Sequence, residues 1–112
     1  MKAIDVHKSY TTGKRLHAVC GNTFAVSKGK VMGLLGPNGA GKSTTFSIMA
    51  MQERRSEGSA QVLGQSLNEI DLKEQGKYLS MCPQYNSIWE QFTVIENLMF
   101  IGRIKGLPRA LR

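Results

Sequence analysis

No apolar run in the 112 residues approaches the roughly 18 that a membrane-crossing helix needs, so no segment reads as a transmembrane span. The opening MKAIDVHKSY lacks the apolar centre of a secretory leader. Cysteine is scarce. Cys20 and Cys82 stand alone, with neither CxxC spacing nor a nearby His pair. Two reduced thiols are the plain expectation, and a disulfide or metal site is the alternative. There is no internal repeat and no low-complexity tract, which excludes repeat architectures and compositional disorder. Acids are nearly missing from the first half: residues 1–56 carry nine Lys/Arg against two acids, while residues 57–112 carry six of each. A basic half suits a polyphosphate, a nucleic acid or an anionic membrane surface, and equally a solvated face; charge alone does not choose.

What remains is an ordinary soluble composition, 41% hydrophobic and 21% charged, enough for one domain or part of one with a modest core. KAIDVHKSY alternates loosely, Ala3, Asp5 and His7 against Ile4 and Val6, as a strand does. TTGKR at 11–15 is a turn signal. A second strand is expected around Asn22–Val26, joined through a Lys28–Gly29 turn to a short, fully apolar strand at Val31–Leu35. STTFSIMAMQ reads as a helix with Phe46, Met49 and Ala50 on one side and Ile48 and Met51 alongside. QERRSEGS is a surface connection and Ala60–Leu63 a strand ending at Gly64. Asp71 with Glu74, and Thr93 with Glu96, have capping-box spacing; the second opens a helix whose apolar face carries Ile95, Leu98 and Met99. Tyr78–Cys82 is a further short apolar strand closed by Pro83. Pro108 is placed to start a helix over Arg109–Arg112, which ends after barely one turn; a truncated domain is the expectation.

The most specific stretch is Gly36-Pro37-Asn38-Gly39-Ala40-Gly41-Lys42-Ser43, a match to G-x-x-x-x-G-K-[ST] between an expected strand and an expected helix. Glycines at 36, 39 and 41 let the loop take dihedrals closed to other residues and bring its N–H groups close to an anion. The amides from about Asn38 to Thr44 gather on a β-phosphate at the helix N-terminus, where the helix dipole also favours negative charge. Lys42 reaches the β- and γ-phosphates, Ser43 offers a hydroxyl to Mg²⁺, and Thr44 adds a donor near the α-phosphate. The expected ligands are a nucleoside triphosphate and Mg²⁺.

VMGLLGPNGAGKSTTF, with an upstream aromatic in HKSY and a downstream MCPQYN, resembles the N-terminal part of an ABC transporter ATPase domain. The likeness covers essentially the whole chain, from residue 2 onward. It implies that Tyr10 stacks on the adenine ring, against the plain reading of a tyrosine at a sheet edge. It places Gln84 in the loop whose glutamine presents its carbonyl oxygen to Mg²⁺ or orients the attacking water, against a polar loop residue after Pro83. In this family that loop also senses the membrane domain. CPQYNSIWEQFTVIENLMFIGRIKG is most similar to the A subfamily, the eukaryotic group tied to lipid export. Trp89 and Phe92 then read as a surface for a helix of the membrane domain, or as core contacts.

The resemblance implies a P-loop α/β fold, with a small antiparallel β portion over about residues 2–26 beside a parallel-sheet core begun by 31–35 and continued near 78–82. It further implies a second ATPase domain completing the site in trans and a transmembrane domain as partner. No nucleic acid is expected, and the location is the cytosolic face of a membrane. Residues 1–112 contain no hydrophobic strand ending in Asp-Glu, no LSGGQ-type signature and no switch histidine; His7 and His17 precede the glycine loop and read as surface strand residues. The chain alone is therefore expected to bind nucleotide weakly and hydrolyse none. A soluble ABC-type ATPase acting on ribosomes or DNA, and an unrelated nucleotide kinase or GTPase, are the rival readings. No NKxD-like guanine reader is present for the last.

Overall fold

The computed structural model describes residues 1–71, 79–85 and 87–108. The chain divides into two compact units, Met1–Ser80 and Met81–Arg112.

The first unit opens with a hairpin. β1 (Lys2–Thr12) and β2 (Lys14–Ala25) run antiparallel, and Gly13 reverses the chain between them at φ 85°. The turn falls where TTGKR signals it. β2 starts at Lys14, well before the expected Asn22, because KRLHAVC carries no breaker and has the length of β1 to pair with. β3 (Glu57–Val62) pairs with the other edge of β1, and β4 (Gln65–Ser66) returns on β3, giving the order β2-β1-β3-β4. Leu63 and Gly64, at φ 52° and 83°, form the two-residue turn that a tight hairpin needs. β3 begins three residues before the expected Ala60.

Strict alternation fails in β1, and the register says why. Ala3 faces Phe24 and Val6 faces Asn22, three steps on β1 against two on β2. The extra residue flips the phase, so Ala3 and Val6 are both buried, 1% and 0% exposed. Asp5 absorbs the bulge at φ 49°, and its N–H is taken by Thr23 Oγ1 at 2.9 Å. Gly58 crosses here at φ 84°, where an added Cβ would lie 2.0 Å from the Asp5 carbonyl oxygen. Gly58→Ala is expected to cost about 3 kcal/mol or more, a strained dihedral plus a backbone clash. Gly29→Ala, at φ 75° with nothing within 4 Å, is expected to cost about 1 kcal/mol. Urea midpoints compare the two, and equal losses would mean that the crossing relaxes freely.

α1 (Lys42–Met49) packs on this sheet through Thr45, Ile48 and Met49, positions i, i+3 and i+4. Ile48 and Met49 join Ala3, Val6, Ala60, Val62, Leu67 and Ile70 in one apolar cluster, with Phe24, Met51 and Leu79 partly buried against it. Each fully buried aliphatic side chain there stabilises by roughly 1.5–3 kcal/mol. The helix ends at Met49, short of the expected Gln52: the Gln52 N–H bonds the Ser47 carbonyl at 2.9 Å and the Met51 N–H the Ile48 carbonyl at 3.0 Å, with Met51 at φ 60°. The inward face is also rotated by one position. Phe46, expected inside, is 49% exposed, and Thr45 takes its place.

The expected strand at Val31–Leu35 is not a strand. Residues 31–37 have no regular structure, Val31 is 100% exposed and Leu35 92%. An apolar strand of a parallel sheet is held by neighbours on both sides, and among the described residues no strand runs beside it. Its expected hairpin partner, β2, is paired with β1 instead. Residues 79–83 likewise have no regular structure. The described sheet is thus wholly antiparallel. Tyr78, Glu74 of the Asp71 capping box and the helix start at 109–112 lie outside the described residues.

The second unit is built on α2 (Val94–Ile104), with both halves of the expected capping box formed. Glu96 donates its N–H to Thr93 Oγ1 at 3.3 Å, and Glu96 Oε2 accepts from the Thr93 N–H at 2.8 Å. Asn97 pins the preceding loop: its Oδ1 accepts from the Trp89 N–H at 3.0 Å, and its Nδ2 donates to the carbonyls of Trp89, Phe92 and Thr93, each at 3.1 Å. The backbone N–H of Thr93, then its hydroxyl, hold the Glu96 carboxyl below its ordinary 4.5. The folded helix therefore favours the ionised form. Its stabilisation is full above the unfolded carboxyl range and is lost as pH falls through the lower folded value. Trp89, the chain's only tryptophan, is expected to report this loss by fluorescence as pH falls below the ordinary carboxyl range. Glu96→Gln, which caps without titrating, is expected to remove that phase; an unchanged profile would assign it to another group.

Candidate functional site

Residues 36–41 form an irregular loop that ends as the N-cap of α1. Gly39 at φ 84° and Gly41 at φ 83° set its shape. The Ala40 N–H bonds the Pro37 carbonyl at 3.3 Å, closing a turn over Asn38 and Gly39. Thr45 then gives its N–H to the Gly41 carbonyl at 2.8 Å. No side chain caps this end, and no acid lies in the first turn. Among the described residues, the N–H groups of Lys42, Ser43 and Thr44 have no acceptor, and the positive end of the helix is not neutralised.

Lys42 folds back over the loop, where its Nζ donates to the Gly36 carbonyl at 2.8 Å and the Pro37 carbonyl at 2.6 Å. The Ser43 side chain is exposed and Thr44 half-buried. At Gly39 an added Cβ would meet nothing within 4 Å, so the loop opens to solvent there. An ammonium, three unpaired amides and two hydroxyls fall within a few residues, with no carboxylate beside them. This is donor chemistry, fitted to a multiply charged oxyanion such as a polyphosphate. Among the described residues no cluster of three or more His, Cys, Asp and Glu exists to hold a metal. A magnesium ion at the Ser43 hydroxyl would take its other ligands largely from phosphate oxygens and water, as that ion commonly does.

Two features that hold the loop to the sheet escape a reading of the sequence. Lys8 faces Val19 and Ser9 faces His17, so Ala18 is an extra residue bulged from β2. Its carbonyl abuts Gly41, where an added Cβ would lie 2.1 Å from that oxygen. One turn into the helix, Asn22 Nδ2 donates to Thr45 Oγ1 at 2.8 Å, satisfying a hydroxyl on a residue only 1% exposed. The i, i+3, i+4 spacing of Thr45, Ile48 and Met49 was a signal for Thr45. Nothing local marks Ala18 or Asn22.

Tyr10 lies on β1 opposite Leu16, half-buried, in the same unit as the loop. Gln84 belongs to the second unit, exposed at a bend. Trp89 and Phe92 pack with Phe100, the Trp89 and Phe100 rings meeting edge to face at 4.6 Å, and each keeps about two-fifths of its surface exposed, 41% and 44%. His7 and His17 sit on strands, hydrogen-bonded to Asp5 Oδ1 at 2.9 Å and Ser9 Oγ at 3.0 Å. Cys20 and Cys82 are free thiols.

The ABC transporter family matches residues 20–111. Curated relatives include ABC transporter A family member 6 of Arabidopsis thaliana, 45% identical over 94 residues, covering 80% of this chain and 10% of that protein. ATP-binding cassette sub-family A member 10 of Homo sapiens is 40% identical over 106 residues, covering 92% and 7%. The phospholipid-transporting ATPase ABCA3 of Rattus norvegicus is 36% identical over 107 residues, covering 96% and 6%. The chain thus spans a tenth or less of the length of these relatives. Among solved structures, the dimeric bacterial ABC transporter cassette MJ0796 superposes at TM-score 0.81 with 23% identity, and its post-hydrolysis state bound to ADP and Pi at 0.79 with 24%. Each match covers 93% of this chain and 47% of the solved one, which is likeness of fold. The chain belongs to the ABC transporter family, as the N-terminal part of one of its ATP-binding domains, of the A-subfamily kind.

Proposed function

We propose that the chain supplies the nucleotide-holding part of an ATPase that drives transport across a membrane. The observation that carries this reading is the donor-only loop: unpaired amides at Lys42, Ser43 and Thr44, with the Lys42 ammonium drawn over Gly36 and Pro37. In this reading the residues Gly36 to Thr44 bind the triphosphate of ATP, and Lys42 moves from its carbonyls to the β- and γ-phosphates. The Ser43 hydroxyl would hold Mg²⁺, which when bound neutralises phosphate charge, and the family resemblance gives the Gln84 side-chain oxygen a role toward the same ion. Tyr10 stacks on the base.

Hydrolysis belongs to the complete, paired domain. The Asp-Glu strand and the signature motif are missing from residues 1–112, and the exposed Val31–Leu35 segment pairs with strands that the remainder of the cassette supplies. The partners are a second ATPase domain, in keeping with the dimeric cassettes, and a transmembrane domain reached near Gln84. Among the described residues no helix is long and apolar enough to cross a membrane. In this reading the chain works at the cytosolic face of a membrane, against that transmembrane domain. A lipid is the cargo this reading favours, supported by the likeness to the rat phospholipid-transporting ATPase.

Titration of the 112-residue chain with a fluorescent ATP analogue, with and without Mg²⁺, tests the binding. Wild type is expected to bind weakly, and Lys42→Ala and Tyr10→Ala more weakly still. Equal affinity in wild type and Lys42→Ala would remove the reading. No turnover is expected from the chain alone, and phosphate release above background that Lys42→Ala abolishes would contradict the half-site assignment.

A further inference from the structure

Lys8 precedes Tyr10 by two residues on β1, which puts the two side chains on one face of the sheet. Only 13% of the Lys8 side chain is exposed. Its ammonium has three partners: the Glu53 carboxylate, the Arg54 carbonyl at 2.7 Å, and the ring of Tyr10, whose centroid is 4.7 Å away. Glu53 and Arg54 lie in the connection between α1 and β3. One lysine therefore clips that connection to one face of the tyrosine ring.

We propose that Lys8 is a positioning residue for the nucleotide base, fixing the Tyr10 ring from one side so that the other side is ready to stack; this rests on the reading of Tyr10 as the base-stacking residue. Two effects act together. A ring pinned by a cation has already lost the torsional freedom that stacking would otherwise have to remove. The ammonium also draws π density toward itself, which leaves the far face better suited to an electron-rich purine. Glu53 and the Arg54 carbonyl are essential, because an untethered lysine would return its ammonium to water.

The test separates base from phosphates. Calorimetry gives the affinities of the full chain for magnesium–ATP and for magnesium–inorganic triphosphate, and their ratio reports the base site. Lys8→Met is expected to lower that ratio about two- to fivefold with triphosphate affinity unchanged, and Lys8→Arg to restore it. Glu53→Gln, which keeps the lysine in place but weakens its tether, is expected to lower the ratio in the same direction, and it stands in if Lys8→Met fails to fold. If Tyr10→Ala leaves the ratio unchanged, the base reading itself fails. If Tyr10→Ala lowers the ratio and neither Lys8→Met nor Glu53→Gln does, the base reading stands and the role of Lys8 is overturned. A ratio that rises in Lys8→Met would mean that the ammonium competes with the base, and an equal loss for both ligands would mean a scaffold role only; either overturns the proposal. Independently, the Lys8 Cε protons are expected to show an upfield ring-current shift that Tyr10→Leu removes, and a lysine at the ordinary shift in wild type would overturn it.

Discussion

Replacing Lys42 with alanine is expected to lower the affinity for magnesium–ATP on the order of a hundredfold or more, while the folding midpoint stays nearly where it was. Without nucleotide the ammonium is hydrogen-bonded to two neutral carbonyls, Gly36 at 2.8 Å and Pro37 at 2.6 Å. Binding exchanges these for anionic phosphate oxygens, and an ammonium bonds an ionised acceptor more strongly than a neutral carbonyl. With a net gain of about 1.5 kcal/mol for each of the two exchanged bonds, their loss amounts to about 3 kcal/mol, the hundredfold factor. The folded state is little affected because Gly36 and Pro37 are exposed, and water takes the place of the ammonium at their carbonyls. Calorimetry at two ionic strengths, beside urea denaturation, measures both halves. The wild-type advantage is expected to shrink as salt rises, since an open loop is screened. A stability loss that matches the affinity loss would mean that Lys42 holds the loop together and contributes little to the phosphates.

What the sequence made legible was local. Gly39, Gly41 and Lys42 announce themselves because their backbone and charge demands are met within eight residues, and Thr93 with Glu96 because a capping box closes over three. What it hid depends on partners far along the chain. Val31–Leu35 reads as a buried strand by composition, yet burial is conferred by neighbours, and no described strand lies beside it. Phe46 looked more deserving of the core than Thr45. A buried threonine is costly only while its hydroxyl is unpaired, and Asn22 removes that cost from 23 residues away. The bulges at Asp5 and Ala18 each shift the register by one residue, and strict alternation has no means of announcing them. Nothing local marks Lys8 either, since its partners Glu53 and Arg54 lie far along the chain.

Gly41→Ala is expected to abolish measurable nucleotide binding and to destabilise the first unit, and comparison with Gly39→Ala identifies the cause. Both glycines are left-handed, at φ 83° and 84°, so both substitutions incur the dihedral cost of about 1–2 kcal/mol. They differ in what surrounds them. An added Cβ at Gly39 meets nothing within 4 Å, while at Gly41 it lies 2.1 Å from the Ala18 carbonyl oxygen and 3.3 Å from Val19 Cγ2. The first of those contacts is far inside van der Waals reach, and its partner is backbone of a paired strand, which cannot rotate aside as a side chain would. The helix start must therefore move off β2, carrying the Lys42, Ser43 and Thr44 amides with it and straining the 2.8 Å Asn22–Thr45 bond. Unfolding free energies from urea titration are expected to fall by more than about 3 kcal/mol in Gly41→Ala and by about 1 kcal/mol in Gly39→Ala. Equal losses would show that the dihedral alone decides. A Gly41→Ala chain that bound magnesium–ATP as wild type does would show that the loop keeps its shape without the β2 bulge beneath it.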